Sequence, residues 1–190
     1  MIPPDPVPRD AIVNRLPLLA VLLLLTACRS TTESLRIMYG NSVRDRTGEG
    51  NFSRLDVSYL EQQERRHEIV RGYIKDAKLV SAEDYLYAGV ILSTSGADDD
   101  LVAAGACGLK AAELGEERGF RVAAEAVDRR LMLMGRSQRY GTQYYYLEVI
   151  QKWRLYPVDP KTTDAERLAM GVETLAELRA REDELNAELR

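Results

Sequence analysis

The sequence predicts a mainly helical fold. Antiparallel helical pairs form a bundle or a short tetratricopeptide-like array, with a small β-hairpin near the C-terminal third. Three observations predict this. Apolar residues recur at helical spacing through successive segments from Leu55 to Gly135. Serine, threonine or aspartate start signals precede several of those segments. One stretch, residues 140–158, breaks the pattern with aromatic and β-branched residues.

The N-terminal segment reads as an address. Leu16 to Ala27 (LPLLAVLLLLTA) is an uncharged apolar run behind Arg15. It is too short to span a hydrocarbon core, which takes about 20 residues, and it fits the middle of a secretory signal. It ends in Leu25-Thr26-Ala27-Cys28, which resembles the bacterial lipobox. Residues 1–27 are therefore expected to be a lipoprotein signal peptide, with Cys28 the acylated first residue of the mature chain. Several acyl chains anchor stably, because each buried methylene contributes about 0.8 kcal/mol. Arg29 in place of aspartate favours the outer membrane in a Gram-negative cell. Pro3, Pro4, Pro6 and Pro8, with Asp5 and Asp10, fit a signal poorly, so translation is expected to start near Val13.

Residues 28–54 are rich in Ser, Thr, Gly and Arg without a sustained period, which predicts a flexible tether. Leu35, Ile37, Met38 and Tyr39 are its local docking points. The domain then runs over residues 55–190. Leu60, His67, Val70 and Ile74 share one helical face. Ser81 with Asp84 reads as a capped start, followed by Tyr85, Ala88 and Leu92. Asp98, Asp99 and Asp100 suit the positive end of a helix dipole. The helix behind them (LVAAGACGLKAAELG) is small or apolar nearly throughout and is expected to be the most buried, with Gly115 its stop. Phe120, Ala124, Val127, Leu131 and Met134 continue the spacing to Gly135. Two strands are expected at Tyr144–Ile150 and Trp153–Val158. Thr163 with Glu166 and Thr174 with Glu177 are further capped starts. The last helix carries Leu175, Leu178, Leu185 and Leu189 in a stripe interrupted by Glu182, suited to packing on the body.

Composition narrows the chemistry. The net charge is −4, which provides no basic surface for nucleic acid. With one histidine and two cysteines, metal cages and histidine relays are hard to build, so neither metal nor cofactor is expected. His67-Glu68 resembles the start of a zinc-protease helix, but position 71 is Arg where the second ligand belongs. His67 thus reads as a structural helix residue. Cys107, among small apolar residues, reads as buried and inert. No nucleophile elbow, phosphate loop or dinucleotide fingerprint is present.

The most specific polar set is Asp128-Arg129 followed by Gln138-Arg139-Tyr140-Gly141-Thr142-Gln143. Asp128 flanks an apolar stripe and needs a partner there. Two readings stand. Asp128, Arg129, Gln138, Tyr140, Thr142 and Gln143 line a pocket beneath the aromatic segment and hold a polar ligand. Alternatively Asp128 accepts backbone amides of the Gln138–Gln143 loop and ties it to the helices, which is the usual reason for a buried polar group to persist.

These elements, with Asp84-Tyr85, Tyr156-Pro157 and Thr162-Thr163-Asp164-Ala165-Glu166-Arg167, together resemble an uncharacterised bacterial lipoprotein family, a helical domain of unknown function. The likeness spans about residues 60–185. It implies a fold and no activity. Relatives commonly carry histidines in the helix after D-Y; Tyr87 and Thr94 stand in those places here. The functional expectation is a lipid-anchored protein of the cell envelope, on the periplasmic face of the outer membrane in a Gram-negative cell. Its role is to bind or scaffold a peptide or protein partner. The alternative is an envelope hydrolase or small-ligand-binding protein that uses the Asp128/Gln138–Gln143 cluster.

Overall fold

A computed structural model describes residues 31–44 and 57–188. The signal peptide, Cys28 and the late start near Val13 lie outside the described residues. The chain is mainly helical with one two-stranded antiparallel hairpin, and its helices pack in pairs. In order they are α1 (31–44), α2 (Val57–Lys75), α3 (Ala82–Leu92), α4 (Asp98–Glu113) and α5 (Arg118–Leu133). Strands β1 (Tyr144–Leu147) and β2 (Lys152–Leu155) follow, then α6 (Asp164–Ala169) and α7 (Leu175–Ala187). No helix among the described residues is long and apolar enough to cross a membrane.

The expectation of a tether is corrected over 31–44, which form α1. Leu35 and Met38 enter the main core beside Val70 and the α3 side chains. Tyr39 stacks on Tyr87 with ring centroids 4.7 Å apart, and the Tyr73 hydroxyl donates to Ser34 Oγ at 3.2 Å. A stripe only two apolar residues long suffices because the partner surface is already built.

Helix α3, rather than α4, is the most enclosed: it buries every residue from Leu86 to Leu92. It packs against α1, α2, α4 and α5. Its start is the expected capping box. Ser81 Oγ accepts from Asp84 N, while Asp84 Oδ2 accepts from the amides of Val80 and Ser81. Helices α4 and α5 meet through small residues. A Cβ on Gly108 would lie 2.6 Å from Gly119 O. That near-contact of backbones decides which face of α5 turns inward. Gly119, Val122, Ala123 and Ala126 are buried, while Phe120 and Val127 of the expected stripe are partly exposed.

The hairpin is shorter than expected. β1 and β2 pair from Tyr144↔Leu155 to Leu147↔Lys152. A 3-10 turn at Glu148–Ile150 joins them, with Gln151 left-handed at φ 49°. The outer edge of β2 is covered by polar side chains of α7. Leu155 N donates to Glu182 Oε2, Trp153 N donates to Asn186 Oδ1, and Asn186 Nδ2 returns a bond to Trp153 O. Glu182 thus interrupts the leucine stripe in order to cap a strand edge that would otherwise invite pairing.

Candidate functional site

The Asp-Arg pair of α5 works in two directions. Asp128 is fully buried. Its Oδ1 accepts from Arg139 N at 2.7 Å and Tyr140 N at 2.9 Å. Its Oδ2 accepts from Gly141 N at 2.8 Å, and from Thr142 N and Thr142 Oγ1 at 2.9 Å each. Four successive amides converge on one carboxylate because Gly141 takes φ +99°, a conformation that suits glycine. Arg129 points the other way. Its Nε donates to Ser95 O at 3.1 Å and its Nη2 to Thr94 O at 3.3 Å. One dipeptide therefore fixes two separate loops to the same helix.

The second loop is tied further. Gln138 is enclosed: its Nε2 donates to Tyr156 O at 2.7 Å and Gln143 O at 3.1 Å, and its Oε1 accepts from Gln143 N. Gln138 also makes a parallel bridge with Val158. Buried Arg167 donates from Nε to Tyr140 O and from Nη1 to Thr162 O and Asp164 Oδ1. Asp164 Oδ1 in turn accepts Leu175 N at the start of α7. The Asp-Arg, Gln-Arg-Tyr-Gly-Thr-Gln and Thr-Asp-Ala-Glu-Arg elements thus form one hydrogen-bonded unit.

Between the two loops lies a half-open cleft of about 760 Å³. Helix α2 contributes Tyr59, Gln63, Glu64 and His67. The α3–α4 loop contributes Ser93 to Gly96, α5 contributes Glu125 and Arg129, and the anchored loop contributes Thr142 and Gln143. Most of this surface is polar. The volume falls within the range of about 300–1,000 Å³ usual for small-molecule sites.

Of the expected site residues, Arg129, Thr142 and Gln143 reach the cleft. Asp128, Gln138 and Tyr140 do not: they are buried in the hydrogen-bonded unit behind it. The physical reason is saturation, since the fold already supplies every partner a carboxylate in that position accepts. Asp128 still acts on the cleft through a relay. Thr142 Oγ1 donates to Asp128 and accepts from Gln143 Nε2 at 3.0 Å.

The α2 wall lies outside the expected site. Leu60 and Ile74, expected inward with His67, are partly exposed, and the buried set is Gln63, Arg66, His67 and Val70. The overlooked signal is a helical stripe of polar residues bordered by exposed Val57 and Leu60, the pattern of a helix facing a polar cavity.

His67 is buried at the cleft wall, with Nε2 2.9 Å from Thr94 Oγ1. It brings its imidazole to one of the two positions read as vacated histidine places. Glu64 Oε2 lies 3.5 Å from Nδ1. Glu64, His67 and Thr94 outline a catalytic triad, but the Thr94 proton has competing acceptors: the hydroxyl lies 2.7 Å from Ile91 O and 3.4 Å from Gln63 Oε1 as well as 2.9 Å from His67 Nε2. Glu64 itself is paired with Arg71, whose hydrogen bond holds its carboxyl below the usual range. Cys107 is inert here: burial pushes its thiol up to about 11. Among the described residues, no group of His, Cys, Asp and Glu is placed to hold a metal ion.

Burial pushes the His67 pKa below its ordinary 6.5, against the opposing pull of Glu64 and Asp100. A base with a depressed folded pKa contributes stability that is present above 6.5 and lost as pH falls from there. His67 is the only histidine, so this window is its own. Unfolding free energy is expected to fall as pH drops below 6.5. Urea titrations below pH 6.5 should show a steeper loss in the native chain than in His67→Gln.

No protein-family model matches the chain, and no curated protein or solved structure shows detectable similarity to it.

Proposed function

We propose that the protein is a lipid-anchored binding protein of the cell envelope, which holds a small polar ligand in the cleft between α2, the α3–α4 loop, α5 and the Gln138–Gln143 loop. The single observation behind this reading is that cleft, whose two loops are held open by one Asp-Arg pair. A fold held together by burial alone has no need to fix two loops at a distance around a polar cavity. Binding is favoured over hydrolysis because Asp128 has both oxygens occupied and the Thr94 hydroxyl beside His67 donates to Ile91 O. The anchor rests on the lipobox-like end at Cys28. The partner-binding reading retains one supporting feature, the hairpin tip, where Val149 is 89% exposed beside Ile150 and Leu147.

A thermal-shift screen of polar metabolites on the full chain tests the cleft. Gly96 lines it, and a Cβ there meets nothing within 4 Å, so Gly96→Trp fills the cleft without backbone strain. Ligands are expected that raise the melting temperature of the native chain and leave Gly96→Trp unmoved. Shifts that survive in Gly96→Trp, or none at millimolar ligand, overturn the reading. Labelled palmitate should enter the native chain and not Cys28→Ser.

A further inference from the structure

The charges around the cleft are already answered by the protein itself. Glu64 is bound by Arg71, which also reaches buried Asp100 at 2.8 Å. Glu125 is paired with Arg121 at 3.3 Å. The Arg129 guanidinium is committed to two backbone carbonyls of the facing loop. An anionic ligand therefore finds its one lining arginine engaged, and an ammonium finds both lining carboxylates engaged. Desolvating a charge without a new partner is costly.

What the cleft offers instead is groups that both donate and accept. Gln143 is oriented by donating from Nε2 to Glu125 O and Thr142 Oγ1, which leaves its Oε1 without a partner among the described residues. Across the cleft, buried Gln63 donates to the Tyr59 hydroxyl at 2.8 Å, accepts from Thr94 Oγ1 at 3.4 Å, and fixes the tyrosine ring, half-buried, at the rim. Carboxamides and hydroxyls match a ligand whose own groups are hydroxyls, and a phenol ring offers a face for its C–H surface.

Building on the binding reading, we infer that the cleft selects an uncharged, hydroxyl-rich ligand, a neutral saccharide, with Gln143 Oε1 accepting from one of its hydroxyls and Tyr59, held by Gln63, meeting its ring face. Selection is by absence of an unanswered charge as much as by contact. Adding a phosphate or an amine to the same sugar inserts a charge whose natural partners in the cleft are already paired within the protein.

Saturation-transfer NMR on the purified full chain tests this with four probes: N-acetylglucosamine and cellobiose as neutral saccharides, glucose 6-phosphate and glucosamine as charged ones. The neutral pair is expected to bind at least tenfold more tightly than the charged pair. Gln143→Ala is expected to weaken the neutral pair at least tenfold, and Gly96→Trp to abolish it. Circular dichroism confirms that each variant is folded. A charged probe that binds as well as the neutral ones, and is lost in Gly96→Trp, overturns the saccharide inference while sparing the cleft. Neutral probes that do not bind overturn the inference as well. If no polar ligand at all responds to Gly96→Trp, the binding reading fails with it.

Discussion

Replacing Asp128 with asparagine is expected to lower stability by about 4 kcal/mol, although the change removes no volume. The carboxylate is an acceptor at both oxygens, and five donors face it. A carboxamide turns one oxygen into a donor. In the better orientation that amide replaces Oδ1, and the amides of Arg139 and Tyr140 are left without an acceptor. Each buried orphan costs about 1–3 kcal/mol, and the three remaining bonds lose their charge assistance. In a chain of this size the melting temperature should drop by about 10 °C. The same variant should weaken ligand binding, because the loop that carries Thr142 and Gln143 loosens once two of its amides are unpaired. A ligand-contacting aspartate behaves differently: asparagine there removes binding and leaves the melting temperature where it was. Thermal denaturation of Asp128→Asn beside Gln143→Ala separates the two behaviours.

Gly119→Ala is expected to cost about 3 kcal/mol or more, because a single methyl must push two backbones apart. Its Cβ would meet Gly108 O, the Ala112 amide at 2.8 Å and Ala111 Cβ at 3.0 Å. None of the backbone atoms belongs to a flexible side chain that is able to move aside. Alanine's higher helix propensity returns only about 1 kcal/mol. The reciprocal Gly108→Ala meets Gly119 O at 2.6 Å and Ala123 N at 2.8 Å and should behave alike. Gly105 is the control. Its Cβ meets only Ala126 Cβ at 3.9 Å, so Gly105→Ala should be neutral or slightly stabilising. Prying α5 from α4 also displaces Arg129 from Ser95, so the cleft should loosen along with the core. Chemical denaturation of the three variants checks the series, and an unchanged midpoint in Gly119→Ala would overturn the account of this contact.

The local signals in the sequence translated well into structure. All three capping boxes, at Ser81, Thr163 and Thr174, are present with both bonds made. The aspartate run opens α4, and Gly115 and Gly135 follow α4 and α5 in positive φ. These features depend on residues within one helical turn, which a sequence displays directly. What depends on distant partners did not translate. Helix α1 was obscured by its serines and threonines, since Leu35 and Met38 matter only once α2 and α3 are in place. The inward face of α5 was misassigned because close helix approach selects glycine and alanine over larger apolar residues. The polar wall of α2 looks like surface until a cavity is known to face it. Asp128 was readable as a buried acid, with loop amides as one of two outcomes. Deciding between them required the turn at Gly141.

Amide hydrogen exchange at Arg139, Tyr140, Gly141 and Thr142 tests the central claim, that Asp128 is the fixed point from which the cleft wall is built. The four amides are expected to exchange slowly and at a common rate in the native chain, and to accelerate together in Asp128→Asn. Fast, independent exchange of these amides in the native chain would contradict it.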